Sequence, residues 1–292
     1  MKYNKKVVML LTIAIIIMVA AIAITAIIND DGGSPYLTAS LRDETIEIYG
    51  GDGLYRYNST TIALMMKAFD WCYLLIGLPL MIIGLILYLR KSMIGYLLLV
   101  STYFFFFYNF LITSVGTAYN YLFLGYMAVY VMCMFAMIIM IKGTSPEHIG
   151  SIMSKLPRKT LAIFVLVLAS YFTINWLIID ISSLLAGSIH PDLDIYTTAT
   201  FNVTDLSIYV PLSISAAVLF LRKKPLGAIL SIMLILGAFQ TMCSISTYTF
   251  MNVCFYQKSI MEAEFMMVII ALVCLGFSIL ALKNLKACNW EC

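Results

Sequence analysis

Charge is what this chain has least of: lysine, arginine, aspartate and glutamate make up 11% of its residues, against 62% hydrophobic. A water-soluble fold of this length needs more polar surface than that to cover its core. Water is therefore the wrong solvent for it. Histidine is scarcer still, with two in the chain, and the seven cysteines are scattered without a CxxC pair. These deficits remove the ligand sets of ordinary zinc sites. No nucleotide-binding motif is present, and no His/Cys/Ser/Asp constellation stands at catalytic spacing. The expectation is a chain that is not an enzyme, needs no cofactor and binds no nucleic acid.

What the chain does have is long apolar runs, with a mean hydropathy of +0.97. A bilayer core roughly 30 Å thick needs about 20 apolar residues per helix, and polar breaks divide the sequence at that spacing. The pattern predicts eight helices, at about 7–28, 69–89, 93–115, 119–141, 160–187, 206–221, 226–250 and 264–282. The sixth is short for a span. The first follows Lys2, Lys5 and Lys6 and exceeds the h-region of a signal peptide, which makes it a retained signal anchor; cleavage near Ala21, Ala23 or Ala26 is the alternative.

Basic residues set the orientation. With the N-terminus inside, the inner pieces hold 14 of the 18 lysines and arginines, and the outer pieces and helix mouths hold 13 of the 15 acids. Short Lys/Arg-rich loops stay in the cytoplasm, so both termini are expected there, in the cell membrane of a multi-pass protein. The basic stretch from Lys142 to Lys159 is expected to lie along the anionic inner leaflet. Of the outer segments, residues 29–68 open with a turn-rich linker, Asn29 to Pro35. The runs Thr45 to Tyr49 and Leu54 to Tyr57, around Gly50-Gly51-Asp52-Gly53, predict a small β-hairpin capping the bundle.

An internal match suggests duplication. At an offset of 132 residues, Leu78-Pro79-Leu80 aligns with Val210-Pro211-Leu212, Leu89-Arg90-Lys91 with Leu221-Arg222-Lys223, and Gly95 with Gly227. Apolar bias alone would not align a proline, a basic turn and a glycine. The expected architecture is an all-α membrane bundle of two parallel four-helix repeats, residues 1–150 with the outer cap and residues 151–292. Parallel repeats occur in some transporters, with the substrate between the halves; they are also a simple way to build a stable scaffold.

The runs Tyr49-Gly50-Gly51-Asp52-Gly53-Leu54-Tyr55, Gly77-Leu78-Pro79-Leu80, and Asp205 to Pro211 followed by Arg222-Lys223-Lys224-Pro225-Leu226-Gly227 resemble those of a family of uncharacterised prokaryotic multi-pass integral membrane proteins. The likeness runs from about residue 45 to the C-terminus. It implies the topology and a prokaryotic cell membrane, and no chemistry.

Ionisable groups inside membrane spans are functional suspects. Asp70, Asp205, Glu262 and Glu264 lie near outer helix mouths, where they could attract a cation or simply favour the helix dipole in a first turn. Asp180 falls at the dipole-unfavourable end of the fifth helix with Asn175 and Trp176 nearby, which makes it the first candidate for a pathway residue. Asn109 and Gln240 lie within the third and seventh helices, as polar candidates that more often bond helix to helix than touch a substrate. Pro79 and Pro211 interrupt equivalent helices, as at some binding sites or at an ordinary kink. His190, Asp192 and Asp194 could hold a metal or form a hydrated acidic loop. Asn58-Ser59-Thr60 and Asn202-Val203-Thr204 are outward sequons, and Cys288 and Cys292 could take a metal or a lipid. Two functional classes follow: a small-molecule or ion transporter, or a non-catalytic sensor, accessory or scaffold protein that binds a partner through its cap or basic loop. The lipid bilayer is a partner in both.

Overall fold

The computed structural model describes residues 5–144, 149–150, 154–191, 193–254, 262–283, 285 and 288, without the side chains of 262–264. Among them are eight helices long and apolar enough to cross a membrane. They are α1 (Lys5–Ile28), α2 (Thr60–Leu89), α3 (Met93–Gly116), α4 (Phe123–Lys142), α5 (Arg158–Ala186), α6 (Thr200–Leu221), α7 (Pro225–Cys254) and α8 (Glu262–Lys283). Eight such helices are compatible with a multi-pass membrane protein. Helices α3 and α7 are the buried pair, with 78% and 72% of their apolar windows inside. The other six wrap them and turn side chains such as Leu10, Ile17, Leu75, Leu184 and Leu272 outward. An apolar belt of that kind is stable against lipid and costly in water.

Because lipid tails are as apolar as leucine, the helices hold together by close packing and a few polar bonds. Small residues admit the approach: a Cβ on Gly237 of α7 would stand 2.9 Å from the Phe104 ring of α3. On the flank, Phe164 of α5 stacks on Phe277 of α8 at 3.7 Å between centroids.

Two helices start earlier than their hydropathy predicts. Helix α2 begins at Thr60 rather than 69, because Ser59 caps it by accepting the Ile62 N–H. Lys67 and Asp70, which interrupt the apolar run, both find partners inside the fold. Helix α6 begins at Thr200 rather than 206, which completes the short sixth span.

Each of these helices contains one widened π turn, Tyr73–Gly77 in α2 and Asp205–Tyr209 in α6, and the two lie 132 residues apart. The Leu78 and Val210 amides reach back five residues, to the carbonyls of Tyr73 and Asp205. Pro79 and Pro211 follow immediately and cannot donate a backbone bond. The π turns fit the prolines into continuous helices, so neither proline breaks its span.

The same offset recurs at the basic turns. Lys91 and Lys223 both take left-handed backbone, at φ 63° and 58°. Ser92 bonds to the Leu87 carbonyl at 3.0 Å and Lys224 to the Leu219 carbonyl at 2.9 Å. These are six-residue helix-closing bonds, which satisfy carbonyls a helix end leaves open.

A hairpin is present at the end of the bundle opposite these turns, but its strands differ from those expected. Strand β1 (Tyr36–Ala39) pairs antiparallel with β2 (Thr45–Ile48) in the register Tyr36↔Ile48. The turn is Ser40 to Glu44, closed by the Ser40 amide on the Glu44 carbonyl at 2.8 Å. The Gly50–Gly53 run instead folds over the linker, and Leu54 to Tyr57 forms turns. Gly50 has a φ of 69°, and its absent side chain leaves room for the Ser34 carbonyl. Asp31 gathers this loop by accepting amides of Gly33 and Asp52. Lys67 reaches up from α2 to Asp30 at 2.6 Å and to the Tyr49 hydroxyl at 2.9 Å.

The Asp52 amide, then that of Gly33, holds the Asp31 carboxyl below the usual carboxylate range. A group with a depressed folded pKa stabilises above its unfolded value and loses that contribution as pH falls through the folded one. Hydrogen-exchange protection factors across residues 29–58, taken relative to the intrinsic rate at each pH, are therefore expected to fall on acidification below the usual carboxylate range. Asp31→Asn should blunt that response; an unchanged profile would remove Asp31 as its source.

Candidate functional site

A cavity of about 480 Å³ opens in the hairpin half of the bundle, walled by α2 and α3 on one side and by α5, α6 and α7 on the other. Its volume lies in the range of small-molecule sites, roughly 300–1,000 Å³. It descends to Phe104, Gly237 and Ala238, about halfway along α7. Toward the basic turns the space ends, where Leu99, Val100, Leu234 and Ile235 are fully buried.

Asp205 lies on the lining. The five residues Thr200–Thr204 precede it in the helix, so its carboxylate does not cap the first turn as the sequence suggests. It opens the π turn instead, a distortion common at functional sites. Its oxygens accept the Trp176 indole N–H from α5 at 2.7 Å and the Tyr108 hydroxyl from α3. An aromatic chain continues below: Phe104 stacks on Tyr108 at 5.8 Å, and Tyr209 meets Tyr108 at 6.4 Å and Phe172 at 5.4 Å. Among the described residues no lysine, arginine or histidine is within ion-pair reach of Asp205.

Asn109 lines the cavity too. Its amide donates to the Phe105 carbonyl at 2.8 Å and to Thr241 Oγ1 at 3.3 Å, joining α3 to α7. Its own carbonyl oxygen has no partner among the described residues. Gln240 is fully buried and off the cavity lining, donating to the Leu236 carbonyl at 3.2 Å.

Asp180 stands outside the lining, on the upper part of α5. Its carboxylate accepts Asn202 Nδ2 at 2.8 Å and meets His190 Nε2 at 3.2 Å. Asn202 lines the cavity, so Asp180 touches the site through a neighbour. Asn175 is half-buried and also off the lining. Asp70 is not in a first turn: it lies ten residues into α2, 2% exposed, and accepts the Tyr55 hydroxyl at 2.6 Å. Burial, then the Asp70 charge, pushes the Tyr55 phenol well above its ordinary range, which keeps it a donor. Glu262 and Glu264 fall in the first turn of α8, and their side chains lie outside the described residues.

The mouth is formed by the segment after α5, with Pro191, Asp194 and Tyr196 on the lining. Arg42, in the hairpin turn, donates to the carbonyls of Asp194 at 2.9 Å and Tyr196 at 2.8 Å. Ser59 donates to the Asp194 carboxylate at 2.6 Å, and the Tyr196 hydroxyl to Asn58 Oδ1 at 2.9 Å. The cap thereby fastens one rim of the cavity. These contacts also occupy the sequons, since Asn58 is 1% and Asn202 4% exposed.

Among the described residues no three of His, Cys, Asp and Glu gather as a metal site; Asp192 lies outside them. Cys72, Cys133 and Cys274 are buried apolar helix residues. Cys288 is buried at the basic end, with its carbonyl on the Met93 amide at 2.9 Å, and Cys292 is outside the described residues. Sequence reasoning passed over Tyr108, Tyr209 and Arg42, since nothing local distinguishes them from other aromatic and surface residues. Trp176 was visible only as a neighbour of Asp180. Compared with protein-family models, curated proteins and solved structures, the chain has no match.

Proposed function

We propose that this chain is a multi-pass protein of the cell membrane, with both termini cytoplasmic, which binds a small solute between two parallel four-helix halves and transports it. No catalytic step is assigned to it. The observation that carries the reading is the cavity of about 480 Å³ bounded by helices from both halves, residues 1–150 and 151–292, with a carboxylate on its wall. The matching π turns and left-handed lysines support a duplicated origin. So does the bond between Asn109 and Thr241, residues that are themselves 132 apart, as expected where a local two-fold axis along the membrane normal passes between α3 and α7. Transporters built of parallel repeats hold their substrates at such a place.

A non-catalytic sensor or accessory protein is the second reading. It is favoured by the packed floor of the cavity and by the Arg42 bonds that tie the cap to its rim. Thiol labelling separates the two. In a chain whose seven cysteines are replaced by alanine, Thr241→Cys is expected to react with a membrane-impermeant reagent on intact cells. A transporter should expose the same thiol in inverted vesicles as well, in a fraction of molecules. Labelling from the cap side alone would favour the sensor, and labelling from neither would refute an open cavity. Tyr57→Cys and Lys223→Cys report orientation in the same cells; equal reaction of both would overturn the cytoplasmic placement of the basic turns.

A further inference from the structure

We infer that the cavity is a site for a lipophilic organic cation, with Asp205 as its counter-ion; this rests on the cavity being a ligand site. The sign of the charge comes from the lining. Its acidic residues are two aspartates, Asp194 and Asp205, and it contains no lysine, arginine or histidine. Asp194 is engaged by Ser59 at the rim. Asp205 lies deeper, and its two donors, a phenol and an indole, are neutral: they orient the carboxylate and leave its charge uncancelled. A buried charge without a partner is costly, and a bound cation removes that cost.

The rest of the wall decides between an inorganic and an organic ion. A divalent metal ion takes several oxygen ligands, carboxylates above all, and no three of His, Cys, Asp and Glu gather to hold one among the described residues. The lining instead carries Phe69, Phe104, Phe172, Trp176, Phe201 and Tyr248 along with the tyrosines nearest Asp205. Aromatic faces attract organic cations by about 0.5–2 kcal/mol each when desolvated, and favour ammonium groups with apolar substituents. Size and shape agree, since about 480 Å³ admits a molecule bearing one or more rings.

The full chain in lipid nanodiscs provides the test, with empty discs subtracted. The probes are tetraphenylphosphonium, its sign-reversed counterpart tetraphenylborate, and the smaller benzyltrimethylammonium. At least one cation is expected to bind saturably, and the phosphonium at least tenfold more tightly than the borate. Asp205→Asn should weaken the cation at least tenfold and leave the borate unweakened, while Asp205→Glu retains the preference. Ala238→Trp, which fills the floor without touching Asp205, should block the cation even if Asp205→Asn does not fold. Equal affinity for phosphonium and borate would overturn the charge assignment and leave the cavity standing as a ligand site. An unweakened cation in folded Asp205→Asn would overturn the role of Asp205. Absence of saturable binding by all three probes would count against the cavity as a ligand site at all.

Discussion

Alanine at Gly95 or at Gly227 is expected to destabilise the protein by about 3 kcal/mol, the upper part of the range for overpacking a close-packed site. At each position the following helix starts hard against the one before it. A Cβ on Gly95 would lie 2.2 Å from the Tyr88 amide nitrogen, and one on Gly227 2.1 Å from that of Phe220. The obstacle is backbone held in a helix, so no rotamer change relieves it. For a chain of 292 residues a loss of that magnitude lowers the unfolding midpoint by roughly 5 °C. Thermal unfolding of the purified protein in detergent measures it. Gly276→Ala is the control: nothing lies within 4 Å of a Cβ there, and its midpoint should hold or rise slightly. Comparable losses at Gly95 and Gly227 are expected because the two turns share their bonding. A large loss at one and none at the other would show that the two turns are not mechanically equivalent.

Tyr55→Phe is expected to cost about 1–3 kcal/mol, although it deletes a single oxygen. Tyr55 descends from the cap, is 4% exposed, and donates to Asp70 within α2. Asp70 is 2% exposed, so without that donor its carboxylate has little access to water in place of the lost bond. The diagnostic quantity is the coupling. Tyr55→Phe and Asp70→Ala should each destabilise, and the double variant should be less damaged than their sum by about 1–2 kcal/mol. Additive losses would mean that the 2.6 Å contact contributes nothing specific. Asp70→Asn, which keeps an acceptor, should fold normally. If it nevertheless abolished solute uptake, Asp70 would have a part in transport that its place off the cavity lining does not suggest.

Both expectations concern features read very differently from sequence. Gly95 and Gly227 stand out in the internal match because they flank identical Arg-Lys turns, and the structure supplies the reason they are glycines. Asp70 was noticed as an acid near a helix mouth, yet its setting was misread, because hydropathy marks a boundary wherever Lys67 and Asp70 interrupt an apolar run. Once Asp30 pairs with Lys67, Tyr49 accepts its hydrogen bond and Tyr55 satisfies Asp70, that interruption costs little and the helix extends back to Thr60. The same effect hid the first turns of α6. The hairpin was legible as a hairpin, but its register was not: Gly50-Gly51-Asp52-Gly53 has the composition of a turn, while the bond network places the turn at Ser40 to Glu44 and uses the glycines for close backbone approach.

The candidate site was legible in part. Asp205, Asn109 and the prolines were singled out as polar or helix-breaking groups in apolar surroundings. That Asp205 lines a cavity while Asp180 stands off it depends on one π turn and on where α5 crosses α6. Neither can be computed from a window of residues.

Sequence by itself determined that the chain carries long apolar runs, that eight of them are helices long and apolar enough to cross a membrane among the described residues, and where matching Arg-Lys turns recur 132 residues apart. These are sums over about 20 neighbouring residues, or matches between them, and need no knowledge of what packs on what. Tertiary structure alone decided which acids are buried against partners and which line the cavity, how the cap fastens the rim, and that the space lies between α2 and α3 on one side and α5, α6 and α7 on the other. Those outcomes depend on contacts between residues as far apart as Tyr108 and Asp205 or Arg42 and Asp194, which exist only once the helices have packed.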